Sequence, residues 1–120
     1  MTINNEELKR LAEARGDALI SLYMPTHRKG KDTREDGIRM KDLIGEIESR
    51  IEETPFDKRT VRARLDVIRP FLDETEFWRH QGDGLAMFVS DEGLTVHRLD
   101  THVEPLTFIS DRFCVRPLLA

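Results

Sequence analysis

Two stretches of the chain carry apolar residues at the three- and four-residue spacing of amphipathic helices. The first has apolar positions at Met40, Leu43, Ile44, Ile47 and Ile51. The second has them at Val61, Leu65, Ile68 and Leu72. Thr33 and Asp57 are suited to cap these helices, and Pro55 separates them, while Pro70 is expected to kink or end the second. The pattern therefore predicts an antiparallel hairpin of two helices, over 34–53 and 57–72.

Shorter apolar stretches bounded by Gly, Pro and Asp predict strands around this hairpin. They cover 17–24, 85–90, 94–100 and 106–110, with 113–115 as a closing segment. The turn signal Asp91-Glu92-Gly93 joins two of them into a β-hairpin. A short helix is also expected after Asn4 or Asn5, with Gly16 as its end. The succession predicts an α+β fold in which a mostly antiparallel sheet is covered by the helical hairpin.

Length and composition favour a single domain over 1–120. The chain has 120 residues, of which 38% are hydrophobic and 35% charged, with a net charge of −4. Cys114 is the only cysteine, which excludes an internal disulfide and favours a reducing, cytoplasmic setting. No signal-peptide pattern or membrane-spanning apolar stretch is present, and we expect no membrane partner. The apolar residues 115–120 suggest that further domains follow.

Neither a catalytic nor a metal site is expected in this segment. His27, His80, His97 and His102 show no metal-ligand spacing, and His97 on a strand is expected to be a surface or packed side chain. Cys114 lies among apolar neighbours, where an inert thiol is expected. Gly82 and Gly84 precede a strand and do not open a helix, so a tight turn is favoured over a phosphate loop. No cofactor is expected.

One segment is basic against the acidic background. Residues 26–41 hold six basic and three acidic side chains, in a chain of net charge −4. A basic loop that opens onto a helix is suited to phosphate. The candidate RNA- or phosphate-binding residues are His27, Arg28, Lys29, Lys31, Arg34, Arg39 and Lys41. The alternative is an ordinary solvated loop whose charges have no specific role.

Four sequence blocks together resemble a known family. They are LISLYMPTHRKG, IRMKDLI, FWRHQGDGLAMFVS and LTFISDRFCVRPLLA. In this order they resemble the N-terminal domain of the bacterial relatives of archaeo-eukaryotic peptide-chain release factors, a group that includes Pelota relatives. The resemblance covers nearly the whole chain and implies a release-factor N-terminal-domain-like fold. It also implies a three-domain protein, with a ribonuclease H-like middle domain and an L7Ae-like last domain.

The same resemblance implies a function on the ribosome. In the eukaryotic and archaeal factors this domain enters the decoding centre, and its hairpin tip carries an Asn-Ile-Lys-Ser motif. The corresponding residues 32–39 (DTREDGIR) lack that motif, and the peptide-releasing Gly-Gly-Gln loop belongs to the middle domain. We therefore expect a non-enzymatic RNA-facing domain that acts in termination, rescue or a stress response. Its expected partners are the ribosome or ribosomal RNA and the downstream domains, not DNA.

Two other interpretations remain open. A pocket beside His27, Arg28 and Lys29 could hold a phosphorylated small molecule, which would make the chain a fragment of an enzyme. Alternatively, the domain could be a purely structural module that serves its neighbour. Phe77 and Trp78 are expected to seal the sheet against the helices instead of stacking on a nucleobase.

Overall fold

A computed structural model describes residues 3–28 and 33–119 of the chain. Its helices are α1 (Asn5–Glu13), α2 (Thr33–Ser49), α3 (Lys58–Ile68), α4 (Thr75–Arg79) and α5 (Arg116–Leu119). Its strands are β1 (Leu19–Pro25), β2 (Gly84–Ser90), β3 (Gly93–Leu99) and β4 (Leu106–Ser110). Together they form an α+β fold, which confirms the predicted class. None of the helices described is long and apolar enough to cross a membrane.

The four strands form one antiparallel sheet in the order β3-β2-β1-β4. β1 is central, since Ile20 pairs with Val89 of β2 on one side and with Ile109 of β4 on the other. β2 and β3 form the predicted hairpin, in which Ser90 pairs with Gly93 across a two-residue turn. Gly93 has φ of 122°, a conformation that glycine adopts without strain. The predicted antiparallel sheet is confirmed, with strand bounds close to the expected ones.

The helical hairpin covers one face of the sheet through the predicted apolar positions. Met40, Ile44 and Ile47 of α2 are buried, as are Val61, Leu65 and Ile68 of α3. Ile20, Leu22 and Met24 belong to the same cluster, because alternate residues of β1 point to this face. Sequence periodicity identified this layer because the buried stripes of both helices are local features of the chain.

The helix ends follow local capping and proline rules. The Asp57 carboxylate accepts a hydrogen bond from the Thr60 N–H at 3.2 Å, as expected of an N-cap. α2 ends at Ser49, earlier than predicted, and a 3₁₀ turn over Ile51–Glu53 follows. α3 ends at Ile68, and Pro70 lies in the 3₁₀ turn Arg69–Asp73, so the proline does end the helix.

Three local predictions need correction. α1 ends at Glu13 and not at Gly16, because Ala14 already has extended backbone. Thr33 is the first residue of α2 instead of its cap. α4 was not predicted, since a helix of only five residues has too few turns to show a periodicity.

The second face of the sheet is also covered, which the predicted layer arrangement did not include. Leu11 of α1 and Phe113 of the C-terminal segment pack with Tyr23 and Phe88. The Tyr23 hydroxyl donates to the Cys114 carbonyl oxygen at 2.5 Å, and burial raises the pKa of this phenol. The Cys114 N–H donates to Ser21 Oγ at 2.9 Å. These two bonds hold the C-terminal segment against the central strand.

The glycines before β2 allow backbone segments to approach closely. A Cβ at Gly82 would collide with the Leu99 carbonyl oxygen, and one at Gly84 would lie 2.6 Å from the Thr101 carbonyl oxygen. The Asp83 N–H donates to the same Leu99 oxygen at 2.9 Å. Close packing therefore accounts for both glycines.

Candidate nucleic-acid interface

The seven residues predicted to bind RNA or phosphate fall into three groups. His27 and Arg28 follow the end of β1, and Arg34, Arg39 and Lys41 lie on α2. Lys29 and Lys31 lie outside the described residues. The structure therefore locates five of the seven, and they do not form one continuous surface.

His27 is held by a buried carboxylate at the start of α2. Asp36, which is 1% exposed, accepts the His27 backbone N–H at Oδ2. Its Oδ1 lies 2.8 Å from Nδ1 of the His27 ring. Both contacts join the loop after β1 to the first turn of α2. In this arrangement His27 positions the loop, while about half of its side chain remains exposed.

Arg28 is paired with carboxylates of the sheet end. Its Nε and Nη2 donate to the two oxygens of Asp83 at 2.9 and 3.3 Å, and Asp100 lies 3.9 Å away. The hydrogen bond to Asp83 raises the pKa of Arg28. The guanidinium is exposed, but two carboxylates already balance its charge. Arg28 therefore adds less positive potential than the sequence suggested.

Arg34 and Lys41 lie on one face of α2 and line a groove. They are seven residues apart, which is about two helical turns or about 10 Å along the axis. The groove has a volume of about 870 Å³ and runs between α2 and the segment that leads into α4. Within the part of the chain that the structure describes, neither cation forms an ion pair. These two residues are the part of the prediction that the geometry brings together.

Arg39 lies on another face of the same helix. It borders a separate depression of about 460 Å³ together with Glu35, Asp42 and Glu46. Five residues of helix rotate a side chain by about 140° relative to Arg34. Arg39 is therefore surrounded by acidic side chains and does not extend the Arg34–Lys41 face.

Helix α2 packs closely on the indole ring of Trp78 in the groove. Trp78 of α4 is 5% exposed, and its Nε1–H donates to the Phe71 carbonyl oxygen at 2.8 Å. The ring packs edge-to-face on Phe77, with centroids 4.8 Å apart. A Cβ at Gly37 would lie 3.3 Å from Trp78 Nε1, so glycine admits this contact. Phe77 and Trp78 belong to the core, as predicted.

Arg79 is a groove residue that the sequence reasoning missed. It lies on α4 opposite Arg34 and Lys41, where it pairs with Glu76 at 2.9 Å. Asp73 is the acidic residue in the groove wall. No local signal marks Arg79, since its place in the groove depends on how α4 packs on α2.

The remaining histidines lie apart from one another in the structure. His80 lies 3.3 Å from Glu76, and His102 lies 3.3 Å from Glu104, both on the surface. His97 is buried on β3, so it is a packed side chain, which is one of the two possibilities expected for it. Over residues 3–28 and 33–119, no three His, Cys, Asp or Glu side chains come together as metal ligands would.

Comparisons with known proteins give information about the fold only. No family model and no curated protein matches this chain. A solved structure named "Archaeal protein" is similar over 99% of this chain, with a TM-score of 0.65 and 18% sequence identity. The match covers 36% of that longer chain, so this chain spans about a third of its length. The likeness supports the α+β architecture.

Proposed function

We propose that this chain is a non-enzymatic, RNA-facing recognition domain of a release-factor-like protein that acts on the ribosome in termination, rescue or a stress response. The observation that carries the proposal is that Arg34 and Lys41 are exposed on one face of α2 and form no ion pair with any residue that the structure describes. The sequence resemblance described above supports it independently. Contacts with ribosomal RNA are the proposed means of binding, and downstream domains would supply any peptide-release chemistry.

The charge distribution is consistent with a local contact. The chain has a net charge of −4, so RNA is repelled by the molecule as a whole and attracted only where cations gather. Phosphate contacts by Lys and Arg release counterions, which makes binding depend strongly on salt. The isolated domain should therefore bind RNA weakly and only at low ionic strength.

The test is the salt dependence of binding to a fluorescein-labelled ten-nucleotide oligouridine, measured by fluorescence anisotropy. Replacing Arg34 and Lys41 together by Ala removes two phosphate contacts. We expect the slope of log K against log salt to become shallower by about 1.4 units, from about 0.7 per contact on a single strand. At 0.1 M salt this corresponds to an affinity loss of about 25-fold.

A matched control is available on α3. Arg59 and Arg62 are exposed, and replacing both by Ala removes the same charge from a helix that does not line the groove. This variant should keep most of the RNA affinity. Equal losses in the two double variants would show that only net charge matters, and absence of RNA binding by the parent chain would refute the proposed function.

A further inference from the structure

The two sides of α2 differ in charge, and this difference carries an inference about what the groove binds. Among the described residues, the groove side carries Arg34, Lys41 and Arg79, with Asp73 in the lining and Glu76 paired to Arg79. On the other side, Glu35, Asp42 and Glu46 surround Arg39. A polyanion that approaches α2 is therefore drawn to the groove and repelled from the opposite side. The helix divides the surface into an RNA-compatible side and an incompatible one.

We propose that the groove between α2 and α4 binds a single-stranded RNA segment, with phosphates on Arg34 and Lys41 along one wall and on Arg79 along the other. This inference rests on the proposed RNA-facing function. It adds Arg79 to the binding residues and removes Arg39 from them. It also assigns the contact to a concave site and not to a diffuse basic surface.

The shape of the groove favours a single strand over a duplex. A volume of about 870 Å³ is in the size range of small-ligand sites, about 300–1,000 Å³. An A-form duplex holds its phosphates in a fixed helical geometry, which limits how many of them can reach cations on both walls of one groove. A single strand is flexible and narrow, so its phosphates can contact both walls.

The groove lining also contains apolar side chains, which suit a nucleoside better than a bare phosphate. Ile38 is 56% exposed and borders both depressions, and Leu72 also lines the groove. A ribose or base lying over Ile38 would cover this surface, while the phosphates remain with the cations at the rim. Trp78 is too buried to stack on a base, so its role is to support the groove lining.

Thr75 provides a test that leaves all charges unchanged. It is exposed at the start of α4 and lines the groove, so Thr75→Phe narrows the site. We expect at least about a five-fold loss of affinity for the oligouridine, the size of one lost phosphate contact at 0.1 M salt. Thr101→Phe, at an exposed position outside the groove, is the steric control and should bind as the parent does.

Two single substitutions test the assignment of the cations. Arg79→Ala should weaken binding about five-fold at 0.1 M salt, and Arg39→Ala, which removes the same charge, should not. Melting temperatures of all variants verify that the domain remains folded. If Thr75→Phe and Arg79→Ala bind as well as the parent while the Arg34 and Lys41 double variant does not, the groove is wrong but the RNA-facing function stands.

Competitors distinguish the possible occupants. Unlabelled oligouridine should displace the labelled strand, whereas a blunt RNA duplex of the same length should compete much less well. Displacement by uridine monophosphate at the same concentration as the oligouridine would overturn the proposal in favour of a nucleotide site. Equal competition by the duplex would overturn it in favour of a diffuse basic surface.

Discussion

At the residue scale, the carboxylate of Asp36 joins two segments that are separate in the sequence. Being almost fully buried, it accepts the His27 N–H and contacts the His27 ring, each at 2.8 Å. Hydrogen bonds to a charged acceptor contribute about 1.5–3 kcal/mol each. This side chain therefore links the loop that follows β1 to α2, while the Arg28–Asp83 pair links the same loop to the segment before β2.

Replacement of Asp36 by Ala should destabilise the domain by about 2–3 kcal/mol, because the two hydrogen-bond contacts between His27 and this carboxylate are lost. For a domain of this size the melting temperature should fall by roughly 8–12 °C. Asp42→Ala is the matched control on the same helix, since Asp42 is exposed. Its free energy of unfolding should stay within about 0.5 kcal/mol of the parent value. Thermal unfolding followed by circular dichroism measures both. Similar melting temperatures for the two variants would mean that the Asp36 contacts contribute nothing.

His97 makes stability depend on pH. Its ring is buried on β3, its Nε2 has no hydrogen-bond partner among the described residues, and Glu7 Oε2 lies 3.9 Å away. Burial lowers the pKa of His97; Glu7 opposes this shift, and Arg10 adds to it. The unfolded chain therefore binds the proton more readily, with a pKa near 6.5. The contribution of neutral His97 to the free energy of unfolding is therefore fully present above about pH 6.5. It is lost as the pH falls towards the lowered pKa that His97 has in the folded protein.

The prediction for His97 is a difference between two proteins. The parent should lose more unfolding free energy than His97→Gln when the pH falls from about 7.5 to 5.5, because the variant has no proton to bind at this position. Denaturant unfolding at the two pH values gives the four free energies required. The subtraction removes carboxylate titrations common to both proteins. Equal losses would show that His97 titrates in the folded state as it does in the unfolded chain.

At the element scale, α2 contains two glycines in different surroundings. A Cβ at Gly45 would meet no atom within 4 Å, whereas one at Gly37 would press on the indole of Trp78. Glycine inside a helix costs about 1 kcal/mol relative to alanine. Gly37 is therefore required by packing, and Gly45 is not.

Gly45→Ala should raise the free energy of unfolding by about 0.5–1 kcal/mol, since helix propensity improves without a clash. Gly37→Ala should gain less or become destabilising, because Trp78 must move away from its 2.8 Å bond to the Phe71 carbonyl oxygen. Chemical denaturation of both variants checks the order. If Gly37→Ala raised the free energy of unfolding as much as Gly45→Ala, Trp78 would have moved to accommodate the new Cβ at no cost.

The elements also show how far sequence reasoning reached. α2, α3 and the β2–β3 hairpin were predictable because their signals lie within each segment: a periodic stripe, a cap at Asp57 and a turn before Gly93. α4 was not, because its five residues are ordered by burial of Phe77 and Trp78 against the rest of the core. Elements with a periodic stripe, a cap or a turn signal are identified from local patterns, whereas α4 depends on tertiary packing.

The candidate site was less predictable than the fold, for a similar reason. The sequence located Arg34, Arg39 and Lys41 but treated them as one surface, although helix geometry places Arg39 on another face. The partner of Arg28 is Asp83, which lies 55 residues further along the chain. Arg79 lines the groove only because α4 packs on α2. Contacts between distant segments cannot be read from local composition.

At the scale of the whole molecule, one sheet carries two apolar clusters, one on each face. Leu65 of α3 is fully buried in the cluster under the helical hairpin, and Phe88 of β2 is buried in the other cluster. Both clusters rest on β1, whose residues up to Met24 are all buried. Because the same central strand supports both layers, we expect the domain to unfold in one transition.

Substitutions on opposite faces test this coupling. Leu65→Ala should lower the free energy of unfolding by about 2–5 kcal/mol, and Phe88→Ala should lower it by about 3–5 kcal/mol, because buried apolar surface is lost and a cavity remains. Each variant should unfold in a single transition, because a loss on either face destabilises the shared sheet. The free energy of unfolding of a domain of this size is about 5–15 kcal/mol, so the double variant should lose a large share of its stability. Calorimetry compared with van't Hoff analysis checks the cooperativity. A second transition in Phe88→Ala, with the Leu65 face still melting at the parental temperature, would show that the two layers are independent.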